Sequence, residues 1–234
     1  MKYLVFDTET TGLPPRFAKP ISRDTVDQWP HIVQLSYILM EDNATLDIIE
    51  VGDFIVKMPS GVQIPEVCAN IHGITDKISA KKGVTVRRAL ASFMQAFCEA
   101  DMIVAHNEQF DMNMIRVEIE RIAFSTTRSA ARDHEMYLAA INKSYPPVYC
   151  TMKANINFCK LVRTNIRGTY HKYPTLAELF EKLFGRPPPA NLHNALNDVM
   201  VCLRCFAKQN LGADLLTDSL DYAYLAKSTH LVFP

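Results

Sequence analysis

Residues 2–6, KYLVF, run directly into the acidic triplet DTE, and few backbones satisfy both halves of that segment. A short apolar run of this length reads as a buried strand. Side chains alternate along a strand, so Asp7 and Glu9 share one face at its C-terminal end. Two adjacent carboxylates repel and need a proton or a cation between them. Hard divalent cations prefer such oxygen ligands. A turn with ordinary surface acids fits these two residues equally well.

The segments after this strand set the fold class. HIVQLSYILM and LDIIEVGDFIV read as a second and third strand joined by the turn EDNAT. DMIVAH and VYCTM read as two more strands. Helical spacing of apolar residues marks VTVRRALASFMQAFCEA, NEQFDMNMIRVEIERI, TLAELFEKLFG and LHNALNDVMVCLRCFAKQNLG. Three consecutive strands, then helices alternating with two more, predict one α/β domain with a mixed sheet. Leu13–Pro30 is a longer connection than a hairpin needs. The polar stretch at 124–134 reads as a loop, or as part of an insertion over about 123–147. Residues 209–234 form a tail with no assignment.

Composition excludes several classes. With 48% hydrophobic and 21% charged residues in 234, the chain is globular and sized for one domain. No apolar stretch approaches the ~18 residues of a membrane span. The N-terminus has no apolar signal-peptide core. A soluble, intracellular protein with no membrane partner is expected. The six cysteines lie in apolar segments and read as buried free thiols. Net charge is zero, so global charge gives no support for nucleic-acid binding. Two stretches are nonetheless basic and free of acids. One holds Lys77, Lys81, Lys82, Arg87 and Arg88; the other holds Lys143, Lys153, Lys160, Arg163, Arg167 and Lys172. They suit a phosphate backbone, and they equally suit two solvated faces.

Two further acids stand at helix starts. Asn107 is placed to cap the helix after DMIVAH, which puts Asp111 in its first turn, beside the strand's C-terminal edge. Asn194 is placed to cap the last long helix, which leaves His193 on the preceding loop and Asp198 just over one turn in. Five residues apart on one helix, His193 and Asp198 would be rotated well away from each other. With His193 on a loop, both can face one site. Read alone, His193 is a loop histidine and Asp111 a helix-start acid.

Taken together, FDTETTG, HNEQFD and HNALND resemble the three motifs of the DEDDh, or DnaQ-like, 3′→5′ exonucleases, and HGIT at 72–75 resembles that family's short additional motif. The resemblance spans residues 1–208. It implies an RNase H-like fold, a five-stranded mixed sheet with helices on both faces. It implies that Asp7, Glu9, Asp111 and Asp198 hold two Mg²⁺ or Mn²⁺ ions and that His193 is the general base. It implies contacts from Thr10, His72 and His106 to the terminal nucleotide, with Leu13 and Phe110 either near the terminal base or in the core. The expected substrate is a nucleic-acid 3′ end, DNA favoured over RNA, in proofreading or repair. Association with a polymerase or with itself is left open. The alternative is an inactive nucleic-acid-binding module of the same fold, against which the intact acids and histidine count. Glu108 departs from the small residue many relatives carry there; it reads as a favourable first-turn acid or as a group that narrows the site. Tyr170, His171 and Tyr173 read either as stacking surfaces for bases or as a loop packed on the last helices.

Overall fold

A computed structural model describes residues 1–233 apart from 125–126, 144–145, 167 and 191; of Lys143 only the backbone is described. Five strands, β1 (Lys2–Thr10), β2 (Ile32–Glu41), β3 (Ile48–Ile55), β4 (Met102–Ala105) and β5 (Val148–Cys150), form one sheet in the order β3-β2-β1-β4-β5. The pairs β1–β2 and β2–β3 are antiparallel, while β1–β4 and β4–β5 are parallel. This is the RNase H-like mixed sheet. A separate two-stranded ribbon pairs β6 (Val162–Asn165) with β7 (Gly168–His171).

The helices are α1 (Glu66–His72), α2 (Asp76–Lys82), α3 (Val86–Glu99), α4 (Glu108–Ile122), α5 (Arg128–Lys143), α6 (Thr151–Ala154), α7 (Ile156–Cys159), α8 (Leu176–Phe184), α9 (Ala195–Phe206), α10 (Leu215–Asp218) and α11 (Leu220–Ser228). Among the described residues no helix is long and apolar enough to cross a membrane.

Strand parity sorts the core into two layers. Leu4 and Phe6 of β1, with Leu35, Tyr37 and Leu39 of β2, pack against α3, α4 and α5 through residues such as Phe93, Phe97, Ile115 and Tyr137. Tyr3 and Val5, with Ile38 and Met40, face the other way and pack against α9 and α11 through Val199, Leu203, Phe206 and Tyr222. Gly52 lies opposite Tyr37 in the register, and a Cβ there would stand 2.2 Å from the ring, so only glycine fits. The long connection before β2 is tied down by Arg121 of α4. Its guanidinium donates to the carbonyls of Val26, Trp29 and Pro30 at 2.6–2.9 Å.

Three segments differ from the sequence-based expectation. The stretch expected as a loop or insertion near 124–134 is largely α5, which buries Ala130, Tyr137 and Ile141 against the α3 layer. Ala130 alone joins the core from its first half, RSAARDHE, and that polar half hides the period that Tyr137, Leu138, Ala140 and Ile141 continue. Residues 209–234 join the core. Leu215, Tyr222, Ala226 and Leu231 are buried in the α9 layer, and the Tyr222 hydroxyl donates to the Met200 carbonyl at 2.7 Å. Arg204 anchors this tail. Its guanidinium is 1% exposed, forks onto Asp214 at 2.8 and 2.9 Å, and lies over the rings of Phe184 and Phe233. Finally, Cys98 is exposed and Cys68 partly so, while Cys150, Cys159, Cys202 and Cys205 are buried. Cys98 sits at the C-terminal end of α3, beyond its apolar face.

Candidate active site

The same parity that divides the core builds the site. Residues 3, 5, 7 and 9 of β1 share a face, so Asp7 and Glu9 continue the row that packs on α9. Helix α9 starts opposite them. Asn194 caps it, its side chain accepting from the Asn197 N–H, and Asp198 lies in the first turn. Carboxylate oxygens of Asp7, Glu9 and Asp198 lie within 4.8 Å of one another. The β1–β2 register shifts between Glu9 and Thr10, which ends regular pairing just beyond the acids.

Asp111 belongs to the other face. Thr8 points toward α4, and Asp111 Oδ1 accepts both its backbone N–H (3.0 Å) and its hydroxyl (2.7 Å). The trio therefore excludes Asp111, although its charge still acts on Asp7 and Glu9. Thr8 was not singled out from the sequence, yet parity signals it: the residue between two same-face acids must face the helix that carries the third.

Burial of these acids is electrostatically costly. Desolvation raises the Asp7 carboxyl well above the carboxylate range, with Asp111, Asp198 and Glu9 adding repulsion. Burial, then Asp198 and Asp111, raises Glu9 to about 8. Burial raises Asp111 to about 7 against the lowering effect of the two Thr8 hydrogen bonds. Burial raises Asp198 to about 6, opposed by the His193 N–H and the nearby imidazole. Such a set favours protons or cations over free charge. The donors are all carboxylate oxygens, which suits a hard divalent cation.

His193 sits on the loop before α9 with φ +70°, a left-handed conformation that is uncommon outside glycine but that histidine adopts more readily than most residues. Its backbone N–H donates to Asp198 Oδ2 at 3.0 Å. A cleft of about 330 Å³ opens here, lined by Asp7, His106, Thr175, Leu176, Leu192, His193 and Asp198 among others. Gln34 supports the same corner: its side-chain carbonyl accepts the Ala195 N–H and its amide donates to Asp53. A glutamine inside the apolar run HIVQLSYILM was the available signal for it.

The remaining predicted contacts are distributed around this cleft. His106 lines it, but both ring nitrogens are engaged: Nε2 donates to the Pro174 carbonyl (3.1 Å), so Nδ1 accepts from the Thr151 hydroxyl (2.9 Å). Burial lowers its pKa to about 4, so the ring is neutral. His72 is buried, its Nδ1 accepts the Ile74 N–H, and burial lowers its pKa. The Thr10 hydroxyl donates to the Gly12 carbonyl at 2.7 Å. Leu13 is 82% exposed, which removes it from the core, whereas Phe110 packs against the α4 layer. Asn107 occupies the cap position of α4 with φ +72° and without a side-chain cap; the two-residue link from β4 forces a turn that asparagine tolerates. Glu108 is paired with Lys153 at 2.9 Å.

An RNase H-like sheet with clustered carboxylates at the C-terminal edge of its central strand defines a class, the nucleases of that superfamily. Within it, the chain belongs to the RNase T exonuclease family, which matches residues 4–206. The PolC-type DNA polymerase III of Listeria welshimeri is 27% identical over 203 residues, covering 85% of this chain and 12% of that protein. The corresponding Lactococcus lactis protein is 30% identical over 119 residues, or 51% of this chain and 6% of its own length. The chain thus spans only a small part of these curated relatives. Escherichia coli exonuclease I bound to a dT13 oligonucleotide has the same fold, with a TM-score of 0.60 at 17% identity, over 98% of this chain and 44% of that one. Its complex with a dA16 oligonucleotide gives 0.59 at 17% identity, over 89% and 41%.

Proposed function

We propose that this chain is a metal-dependent 3′→5′ exonuclease that releases nucleoside 5′-monophosphates from nucleic-acid 3′ ends, with DNA favoured over RNA. The observation that carries this reading is the approach of the Asp7, Glu9 and Asp198 oxygens to within 4.8 Å, with His193 on the adjoining loop. Asp7, Glu9 and Asp198, joined by Asp111 from the α4 side, are the residues to hold two divalent cations, Mg²⁺ or Mn²⁺. When bound there, such cations stabilise charge on the scissile phosphate and lower the pKa of the attacking water. His193 is the general base: its imidazole takes the water's proton as the oxygen attacks phosphorus. Its loop lets the ring approach the nucleophile without moving α9.

The terminal nucleotide is assigned to the cleft between His193 and the start of α8. Leu13, exposed just beyond β1, is offered to the terminal base, and Phe110, Thr10 and His72 are assigned to the same nucleotide. His106 acts on the wall: it holds Pro174 and Thr151 in place. The DNA preference and a proofreading or repair setting rest on the PolC-type relatives and on the DNA oligonucleotides bound by exonuclease I. A 5′-labelled oligonucleotide, digested with and without Mg²⁺ or Mn²⁺, tests the reading. A ladder shortening from the 3′ end, abolished by chelator, is expected. Absence of mononucleotide from both DNA and RNA, or shortening from the 5′ end, overturns it.

A further inference from the structure

We propose that the β6–β7 ribbon is an arm that grips single-stranded nucleic acid just 5′ of the nucleotide held in the cleft; this rests on the exonuclease reading above. Every position of both strands is exposed, so the ribbon has no core of its own. A two-stranded hairpin of that kind is marginal in water. It is held at its base instead, where the Lys172 N–H donates to the Leu161 carbonyl and the Lys172 ammonium pairs with Glu178. Its strand residues are exposed rather than packed as a buried loop.

Its chemistry fits one occupant. Arg163 lies directly opposite Tyr170 in the register, so a guanidinium and a phenol ring share one face. Tyr170 is 43% exposed and Tyr173, which follows, is 53% exposed. Arg163 and Lys160 have no acidic partner among the described residues, and no acid occurs between Asn142 and Ala177. Exposed rings beside unpaired cations suit unstacked bases on a phosphate backbone; a duplex keeps its base faces covered.

The arm is also continuous with the site. His171 ends the ribbon, and Thr175, Leu176 and Ala177 line the cleft with Asp7, His193 and Asp198. Four residues of chain reach at most about 14 Å. That short span puts Tyr173 and the Arg163–Tyr170 face within reach of a strand whose 3′ end lies at the acids.

Binding of a 5′-fluorescein oligo(dT) to the full chain, read by anisotropy in chelator so that nothing is cut, tests the arm apart from catalysis. Tyr170→Ala should weaken binding roughly 5- to 150-fold, the usual loss for one base stack, and Tyr170→Phe should restore it. Arg163→Ala should lower the slope of log affinity against log salt by about 0.7, one phosphate contact on a single strand. Melting temperatures of the variants are measured alongside, and both positions are exposed. If Tyr170→Ala and Arg163→Ala bind oligo(dT) as the parent does, the arm is overturned, whether or not the protein cuts DNA. An equal loss on a blunt duplex overturns the single-strand assignment. A change in self-association with oligo(dT) binding intact assigns the ribbon to a second copy instead and also overturns it. If the parent binds oligo(dT) through the ribbon yet releases no mononucleotide with metal, the arm stands and the exonuclease reading fails.

Discussion

The side-chain carbonyl of Gln34 accepts the backbone N–H of Ala195 at 3.2 Å, joining residues 161 apart in sequence. Ala195 is the first residue of α9, and its N–H has no partner within the helix. The bond fixes the start of the helix that carries Asp198 against the strand that pairs with β1. Gln34→Leu would leave this buried donor unsatisfied and remove a donor from Asp53. A loss of about 1–3 kcal/mol is expected. Urea denaturation checks this; an unchanged midpoint would mean the helix start is held by Asn194 alone.

His193 and the acids separate by kinetics. Asp7→Asn or Asp198→Asn removes a proposed metal ligand and should abolish metal-dependent cleavage. His193→Ala should lower the rate roughly 10²- to 10⁴-fold, the share of general acid–base catalysis. Single-turnover digestion at saturating Mg²⁺ distinguishes the two. Full activity in the His193 variant would assign the base elsewhere.

Thr8 acts on Asp111 without facing the cleft acids. Thr8→Val keeps the backbone N–H bond and deletes the hydroxyl bond at 2.7 Å. Loss of such an outer partner raises the Mg²⁺ concentration for half-maximal activity by about 10- to 100-fold. A metal titration of cleavage measures it, and an unchanged midpoint would place Asp111 outside metal binding.

The raised carboxyl pKa values fix a pH dependence. Glu9 rises to about 8, Asp111 to about 7 and Asp198 to about 6, from ordinary values near 4. Between those limits the folded chain binds more protons than the unfolded chain, so these groups make stability fall as pH rises from about 4 to about 8. Thermal melts in chelator should show that fall. Divalent cation replaces the protons, so Mg²⁺ should raise Tm more near pH 8 than near pH 5. A Mg²⁺ effect independent of pH would contradict the carboxylate site.

The buried Arg204 gives an asymmetric pair of variants. Asp214→Ala leaves a guanidinium that is 1% exposed without its counter-ion and should cost about 3–5 kcal/mol. Arg204→Met still offers an apolar side chain to Phe184 and Phe233 and leaves only Asp214, whose side chain is 25% exposed, so it should cost less. Calorimetry comparing the two tests the order, and the reverse order would show that the rings hold the charge by themselves.

Local pattern made much of this molecule legible. The sheet strands were readable because each apolar run is short and bounded by turn residues. The loop position of His193 followed from its awkward spacing to Asp198. Parity placed Asp7 and Glu9 together. What escaped were relationships between distant segments and weakly patterned ones. Helix α5 was hidden because three buried residues do not outweigh its polar surface. The ribbon was hidden because its strands carry no alternation: both faces meet water, and alternation records only the difference between faces. The tail was unreadable because its main anchor, Arg204, is a charged residue that sequence reasoning places at a surface.

Mechanically, α9 is a beam pinned at both ends. Gln34 holds its first residue, and the Arg204 fork and its aromatic cage hold it six residues beyond Asp198, roughly 9 Å along the axis. Tension applied at the end of the tail would be taken up at Asp214 and Phe233 before it reached the acid. The alignment of the cleft is thereby insulated from whatever pulls on the C-terminal segment.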